Sequence, residues 1–522
     1  MYLCKVCGGN IVFDIKTQQL VCPYCGDTED PYAREGDPKE MAKQEEFEVN
    51  VFSCPYCGGE IMSEDNEAAS FCSFCGTSTT LTGRLSKEKR PKFIIPFKKT
   101  KEDCKSIYLK KLNSSPYAPN ELKDEKAIDS FRGIYMPYWS YHATQDTPFA
   151  LVGTVKRKSG DKTVTDYYEV DGNVKGYYKG LSYDSSTSFE DDVSESIAPY
   201  YVKDMKYFTP AYLSGFYADM EDVPSSVYNQ DVVEITNEET IRRLKNDADF
   251  RKKGRSDMKI SASENIIPTN IQNADNVMYP VWFMSYQKGD RVAYSTINGQ
   301  TGKFAMDIPI DMKKYLLYTT IASIPIFIVL LLSMFAMSLQ QTFYSFLLIV
   351  FSYLITFIHS SQLFNVINQH NNFSDKGSLY KESKNNFVMR KTKGGWLKVV
   401  YMVGIFAALG IIFSEDVEIT TIAIFVPLIA TIVQFISICT MYKNRKLSGE
   451  KFSLMGDTFI VLFTLVMAIL MGFESIPIIH PLLNTFMAGS CALTLINIIK
   501  RYNLYSTRKL PQFNKTGGDN RA

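Results

Sequence analysis

A four-cysteine pattern occurs twice near the start of the chain and constrains the fold more than any other feature. Each copy has two C-x-x-C pairs separated by fourteen residues, and the second copy follows fifty residues after the first. Glycine and isoleucine positions recur with the cysteines, so the unit is an internal repeat. Tetrahedral zinc takes four thiolates, and each pair supplies two from one tight turn. The pattern predicts two structural zinc ions with these ligands: Cys4, Cys7, Cys22, Cys25, Cys54, Cys57, Cys72 and Cys75.

The tetrapeptide Cys-Pro-Tyr-Cys, which glutaredoxins use for redox chemistry, also occurs in both copies. It forms the rear pair of the first copy and the front pair of the second, and a glycine follows each. A redox site of that kind needs one such pair between a strand and a helix. Zinc is therefore the predicted occupant, with rubredoxin-like iron and redox thiols as alternatives. Four protein ligands leave no open coordination position, so metal catalysis is not expected.

The C-terminal part of the 522-residue chain is strongly apolar. A membrane-spanning helix needs about twenty apolar residues. Six segments approach or exceed that length, near 316–337, 342–364, 397–413, 419–441, 457–473 and 481–499. Lysine and arginine fall in alternate loops, and the positive-inside rule then predicts a multi-pass cell-membrane protein with both termini in the cytoplasm.

A transporter or channel with regulatory ribbons is the main alternative function. It predicts ionisable side chains inside the helix bundle. His359 falls near the end of a predicted span and Asp457 at a predicted interface, and no charged residue occupies a span centre. The sequence therefore favours helices that anchor the protein over helices that transport a solute.

The segment between the cysteine repeats and the apolar part has the pattern of an α+β domain. Residues 163–184 are rich in tyrosine and predict antiparallel strands, and residues 236–254 predict a helix that Thr236 or Asn237 caps. Residues 135–141 and 279–286 both contain Pro-x-Trp followed by tyrosine. This faint repeat predicts paired core strands, with an aromatic ligand-binding surface as the alternative. No catalytic constellation is recognisable, so an enzyme is not predicted.

The predicted fold class is multidomain: two small four-cysteine zinc ribbons, an α+β cytoplasmic domain, and an all-α bundle of six transmembrane helices. The predicted boundaries are 1–28 for the first ribbon, 29–50 for an acidic linker, 51–80 for the second ribbon, 81–92 for a basic linker, 93–312 for the α+β domain, 313–503 for the transmembrane domain and 504–522 for a cytoplasmic tail.

The charge of the ribbon region argues against nucleic acid as its partner. Residues 1–80 contain five lysine or arginine side chains and fourteen acidic ones, a net charge of −9. Two four-thiolate zinc sites would bring the formal charge to about −13. Binding to phosphates depends on positive side chains, so a membrane-tethered nucleic-acid-binding protein is a disfavoured alternative.

Several motifs resemble those of a known group. The cysteine repeats, "FIIPF" at 93–97, "YMPYW" from 135, "PAYLSGFYA" at 210–218, "YPVWF" from 279 and "NGQTGKFAMDIP" ahead of the apolar part are similar to the YdjG-like zinc-ribbon membrane proteins of Gram-positive bacteria. The resemblance implies a membrane platform that works with SPFH-domain proteins and phage-shock-protein-A-like proteins in envelope homeostasis.

Together these features predict a non-enzymatic scaffold or adaptor. It would be anchored in membrane lipid and would recruit cytoplasmic or membrane-associated proteins to the inner face of the cell membrane through its zinc ribbons.

Overall fold

The computed structural model of the chain describes residues 2–34, 36–63, 72–77, 81–159, 162–247, 250, 258–261, 266–336, 341–370, 375–377, 419–444, 454–470 and 479–511. The strands in these ranges are β1 Val12–Asp14, β2 Gln19–Val21, β3 Thr28–Glu29, β4 Glu46–Ser53, β5 Glu60–Ser63, β6 Thr82–Lys89, β7 Phe93–Ile94, β8 Arg132–Ser159, β9 Lys162–Asp184, β10 Lys206–Tyr207, β11 Tyr217–Ala218, β12 Lys259–Ile260, β13 Asn270–Lys288, β14 Arg291–Asn298, β15 Phe304–Met306 and β16 Arg508–Lys509. The helices are α1 Pro38–Met41, α2 Lys101–Asn113, α3 Glu125–Asp129, α4 Asp191–Ile197, α5 Asn229–Asn246, α6 Met312–Ala336, α7 Gln341–His370, α8 Ile419–Asn444, α9 Met455–Leu470 and α10 Ile479–Tyr505.

A large mixed sheet dominates the N-terminal three fifths of the chain. Its main path runs β10-β7-β13-β8-β11-β5-β4-β6, and further strands pair with β8, β13 and β14. The antiparallel pair β8 and β13 holds the two Pro-x-Trp segments, with Trp139 and Trp282 both buried. Each indole N–H donates a hydrogen bond of 2.8 Å to a backbone carbonyl, that of Val223 and that of Lys99 respectively. The prediction of paired core strands is confirmed.

Strands β8 and β9 form a long hairpin against which α5 packs. The tyrosine-rich residues 163–184 are extended, as predicted, but they lie in one continuous strand, β9, instead of several, and this strand pairs antiparallel with β8. The predicted helix begins earlier than expected, at Asn229, and Thr236 is a buried residue within it whose hydroxyl donates to the Val232 carbonyl. The helix begins earlier because Val232, in its first turn, is buried in an apolar cluster with Trp139 and Tyr141 of β8.

The second cysteine repeat is part of the main sheet. β4 begins inside the predicted acidic linker 29–50, and β6 occupies most of the predicted basic linker 81–92. These two strands pair along their whole length, and alternate side chains of β4 are buried, as in Phe47, Val49 and Val51. A strand with one apolar face must bury it against a neighbouring layer, and here the domain core supplies that layer.

Helices α7, α8, α9 and α10 pack against one another in the C-terminal part. One of their shared clusters contains the buried residues Ile349, Tyr353, Ala430, Val433 and Met487. Among the described residues, one helix is long and apolar enough to cross a membrane by length and composition, Leu482–Tyr505 within α10. Shorter apolar stretches are Leu348–Leu363, Leu428–Tyr442 and Met455–Val466.

The prediction of six transmembrane helices and of a multi-pass membrane location is therefore wrong. Composition alone cannot separate a span from an apolar helix that buries its side chains against other helices, and the clusters within the bundle use part of that apolar surface. The predicted span at 397–413 lies outside the described residues. The predicted cytoplasmic orientation of the termini and of the α+β domain rested on the six spans and loses its basis with them.

Candidate metal centres

Each C-x-x-C pair lies on a tight turn that a glycine closes. The N–H of Gly8 donates to the Cys4 carbonyl at 2.9 Å, and the other three pairs repeat this bond at 2.8 to 3.0 Å. The closing glycines have positive φ angles, 74° at Gly8, 76° at Gly26, 70° at Gly58 and 73° at Gly76. Only glycine takes this conformation without steric cost, which explains its position after the second cysteine of every pair.

The turns bring the predicted ligands together in two sets of four. In the first cluster, the sulfur atoms of Cys4 and Cys25 are 3.5 Å apart and those of Cys7 and Cys22 are 3.4 Å apart. In the second cluster, the corresponding distances are 3.9 Å for Cys54 and Cys75 and 3.7 Å for Cys57 and Cys72. All four ligand atoms of each cluster lie within 4.8 Å of one another.

These distances fit a metal ion bound by four thiolates. A tetrahedral centre with metal–sulfur bonds of 2.3 Å separates its sulfur atoms by about 3.8 Å, whereas a disulfide joins them at about 2.05 Å. All eight cysteines have free thiols. Both clusters could therefore hold a metal ion with the ligands that the spacing predicts, and the distances do not distinguish zinc from iron.

The pKa values of the thiols differ within each cluster. The backbone N–H of Cys25 lowers the pKa of the Cys22 thiol to about 7, and a hydrogen bond from the Cys57 side chain lowers the pKa of Cys54 to about 7. The hydrogen bond with Cys54 raises the pKa of Cys57 far above its usual value. Four thiolates at this separation repel one another, so a cation is needed for all of them to stay ionised together.

The two clusters differ in exposure although their sequences repeat. Cys7 and Cys25 are exposed in the first cluster, whereas all four cysteines of the second are buried. Tyr24, between the cysteines of the first rear turn, is 79% exposed, while its counterpart Phe74 in the second repeat is 1% exposed. Val6 on the first front turn is 72% exposed. The repeat therefore places one kind of turn in two different environments.

The first cluster is fixed to the sheet domain by its strands, while Val6 and Tyr24 on its two cysteine turns are exposed. The N–H of Phe13 on β1 donates to the Ser214 carbonyl at 3.0 Å, and the Ser214 hydroxyl donates to the Ile11 carbonyl at 2.5 Å. The side-chain amide of Gln18 donates to the Phe97 carbonyl at 2.8 Å. The exposed turns therefore project from a unit that these hydrogen bonds attach to the sheet domain.

The second cluster is held by its rear turn. The Tyr294 hydroxyl donates to the Phe74 carbonyl at 2.9 Å, and the Thr77 hydroxyl donates to the Gln287 side chain at 3.2 Å. Leu510, near the end of the described chain, packs against the apolar residues around this cluster. Residues more than two hundred positions away in sequence therefore complete its surroundings.

The sequence did not predict a buried pair of ionisable side chains in the helix bundle, His359 and Asp457. Nδ1 of His359 on α7 lies 2.8 Å from a carboxylate oxygen of Asp457 on α9, and both side chains are fully buried. The two residues are 98 positions apart, and no local pattern links them. The sequence could show only that each was an isolated ionisable group in an apolar segment.

The fold and the paired cysteine clusters define a class: a mixed-sheet protein that carries two candidate four-thiolate metal centres. The chain is similar to a protein of Bacillus subtilis (strain 168) named "uncharacterized protein YdjG", with 27% identity over 325 residues, 60% of this chain and 91% of that protein. The similarity supports the YdjG-like family that the motifs predict, and the name of that protein mentions neither a membrane nor zinc. No family model and no solved structure matches the chain.

Proposed function

We propose that this chain is a non-catalytic adaptor, in which each cluster binds structural zinc and the surface around the first cluster binds a partner protein. The observation that carries the proposal is the contrast between Tyr24 and Phe74, which occupy the same position in the two repeats but are 79% and 1% exposed. In the second repeat this position is a contact with the sheet domain. In the first repeat the same position faces solvent.

The neighbours of Tyr24 enlarge this exposed surface. Val6 and Leu3, on the front turn of the same cluster, are 72% and 48% exposed. Single exposed apolar residues are ordinary on protein surfaces, but these three adjoin the cysteines of one cluster, whose sulfur atoms lie within 4.8 Å of one another. Tyrosine is also among the residues that contribute most to protein interfaces.

The charge of the region indicates the kind of partner. The surplus of acidic side chains in residues 1–80 favours a partner with basic residues around an apolar contact, because complementary charge raises association rates and excludes wrong partners. The same charge opposes phosphate binding and weighs against nucleic acid. SPFH-domain and phage-shock-protein-A-like proteins, which the resemblance implies, are the first candidates to examine. Of the predicted membrane anchor, only the candidate span in α10 is retained.

The test places a photo-activated crosslinking amino acid at position 24 of the full-length chain in cells. The matched control places it at Tyr167 on β9, which is 73% exposed and far from both clusters in sequence. We expect an adduct with one protein at position 24, absent at position 167 and lost when Cys22→Ser removes a metal ligand. The purified partner should then bind Tyr24→Ser at least about tenfold more weakly than Tyr167→Ser, a loss of about 1.4 kcal/mol.

Two outcomes would overturn the adaptor proposal. One is the same set of adducts at positions 24 and 167. The other is an adduct at position 24 whose purified partner binds Tyr24→Ser and the unchanged chain equally well.

A further inference from the structure

The chain leaves the helix bundle after α10 and returns to the sheet. Residues 506–511, called here the tail segment, contain β16, which pairs antiparallel with β14 so that Arg508 lies opposite Val292 and Lys509 opposite Arg291. A strand of two residues contributes few ladder hydrogen bonds. Its docking therefore depends on its side chains.

Two arginines provide the polar part of that docking. The first is Arg291 on β14, whose guanidinium donates to the Thr507 hydroxyl and to the Thr507 and Leu504 carbonyls. The second is Arg508. Its Nε lies 2.8 and 2.7 Å from the two carboxylate oxygens of Glu190, and its guanidinium also pairs with Asp307. The guanidinium carbon lies 5.4 Å from the centre of the Tyr294 ring. Only 12% of the Arg508 side chain is exposed, so these contacts are shielded from water.

Tyr294 connects the tail segment to the second cluster. Its ring lies beside Arg508, and its hydroxyl donates to the carbonyl of Phe74 between two cysteine ligands. Leu510 makes the second connection, because it packs against the apolar core that contains all four cysteines of that cluster. One side chain from the sheet and one from the tail segment thus contact the same cysteine-bearing region.

We propose that metal binding at the second cluster and docking of the tail segment stabilise each other, so that the second cluster acts as a metal-dependent anchor for the end of α10. The anchor follows from the way that small four-cysteine units fold. Metal binding supplies much of their folding free energy, so the turn that carries Phe74 keeps its position only while its cysteines are held together. Loss of that position removes the carbonyl that Tyr294 bonds and the apolar surface that Leu510 covers. Thermodynamic linkage requires the reverse effect to be equally large.

The first repeat provides a matched control within the same chain. Its cluster has the same ligand spacing, but its buried cysteines pack with Phe13, Leu20 and Tyr212 in the main apolar core of the sheet domain. Leu510 packs instead against the apolar residues around the second cluster. Removing the first metal should therefore leave the tail segment docked.

Hydrogen exchange of the full-length chain, loaded with zinc, tests the anchor. We expect Cys72→Ser to speed exchange of the backbone amides of residues 506–510 at least about tenfold, and Cys22→Ser to leave them unchanged. Continued protection of these amides in a Cys72→Ser chain that has lost one metal would overturn the proposal.

If Cys72→Ser also speeds amide exchange in the central strands β8 and β13, the variant has unfolded beyond the second cluster. A reciprocal measurement then tests the anchor. Leu510→Ala removes the apolar contact without touching a ligand, and it should speed zinc release to a chelator from the second cluster but not from the first. Release from the second cluster at the rate of the unchanged chain would overturn the proposal, whatever the behaviour of the cysteine variant.

Discussion

Asp184 is a single residue whose carboxyl group is buried by the fold. Its side chain is 3% exposed and accepts a hydrogen bond of 2.7 Å from the Ser194 hydroxyl. Burial raises the pKa of this carboxyl well above its usual value of 3.8, and the nearby charge of Asp191 raises it further. The carboxyl therefore favours the folded chain when it is protonated and opposes folding when it is ionised.

Asp184→Asn should stabilise the fold at high pH and have little effect at low pH. The folded pKa is raised, so the stabilising contribution of aspartate is complete below its unfolded pKa and is lost as pH rises through the folded value. Asparagine keeps an acceptor for Ser194 and cannot ionise, so we expect a gain in the free energy of unfolding at pH 8 that disappears near pH 4.

Denaturant unfolding at the two pH values measures this difference. Asp146→Asn is the control, because the Asp146 side chain is 71% exposed and should show no comparable pH dependence. A gain for Asp184→Asn that is equal at both pH values would contradict the assigned burial effect.

At the scale of elements, the cysteine repeat shows what local sequence determines. The spacing and the closing glycines fix each turn, and the eight cysteines lie together in the two sets of four that the spacing predicts. Exposure of the clusters was not predictable from the repeat, because the residues that bury Phe74 and its cluster come from positions such as Tyr294 and Leu510. The same limit applies to the apolar helices, since composition does not reveal which faces pack together.

The difference in exposure predicts different rates of metal loss from the two clusters. Cys7 and Cys25 are exposed, whereas the second cluster is buried, so a chelator should reach the first metal at least about ten times faster. Absorbance of a metal indicator after addition of excess chelator should show two phases of equal amplitude.

The cysteine variants assign the phases. Cys22→Ser should remove the fast phase, and Cys54→Ser should remove the slow phase. A fast phase that persists in Cys22→Ser and is missing in Cys54→Ser would reverse the assignment.

At the scale of the whole molecule, the two cysteine repeats are joined to the sheet domain and do not hang on free linkers. The first is attached through β1 and Ser214, and the second contributes strands to the main sheet itself. The sequence predicted two four-cysteine clusters ahead of a segment with strands and helices, and the structure has two such clusters and a large mixed sheet. The sequence did not predict that strands of the second cysteine repeat would join the main sheet. Strand pairing between distant segments, such as β5 and β11, leaves no local signal.

The proposed adaptor and the proposed anchor both require each cluster to be an independent zinc centre. Mass spectrometry of the folded full-length chain, with elemental analysis of the same sample, measures the number and identity of bound metals. We predict two zinc ions per chain, one after Cys22→Ser and one after Cys54→Ser. A single metal shared between the repeats, bound iron, or a folded chain that holds no metal would contradict the claim.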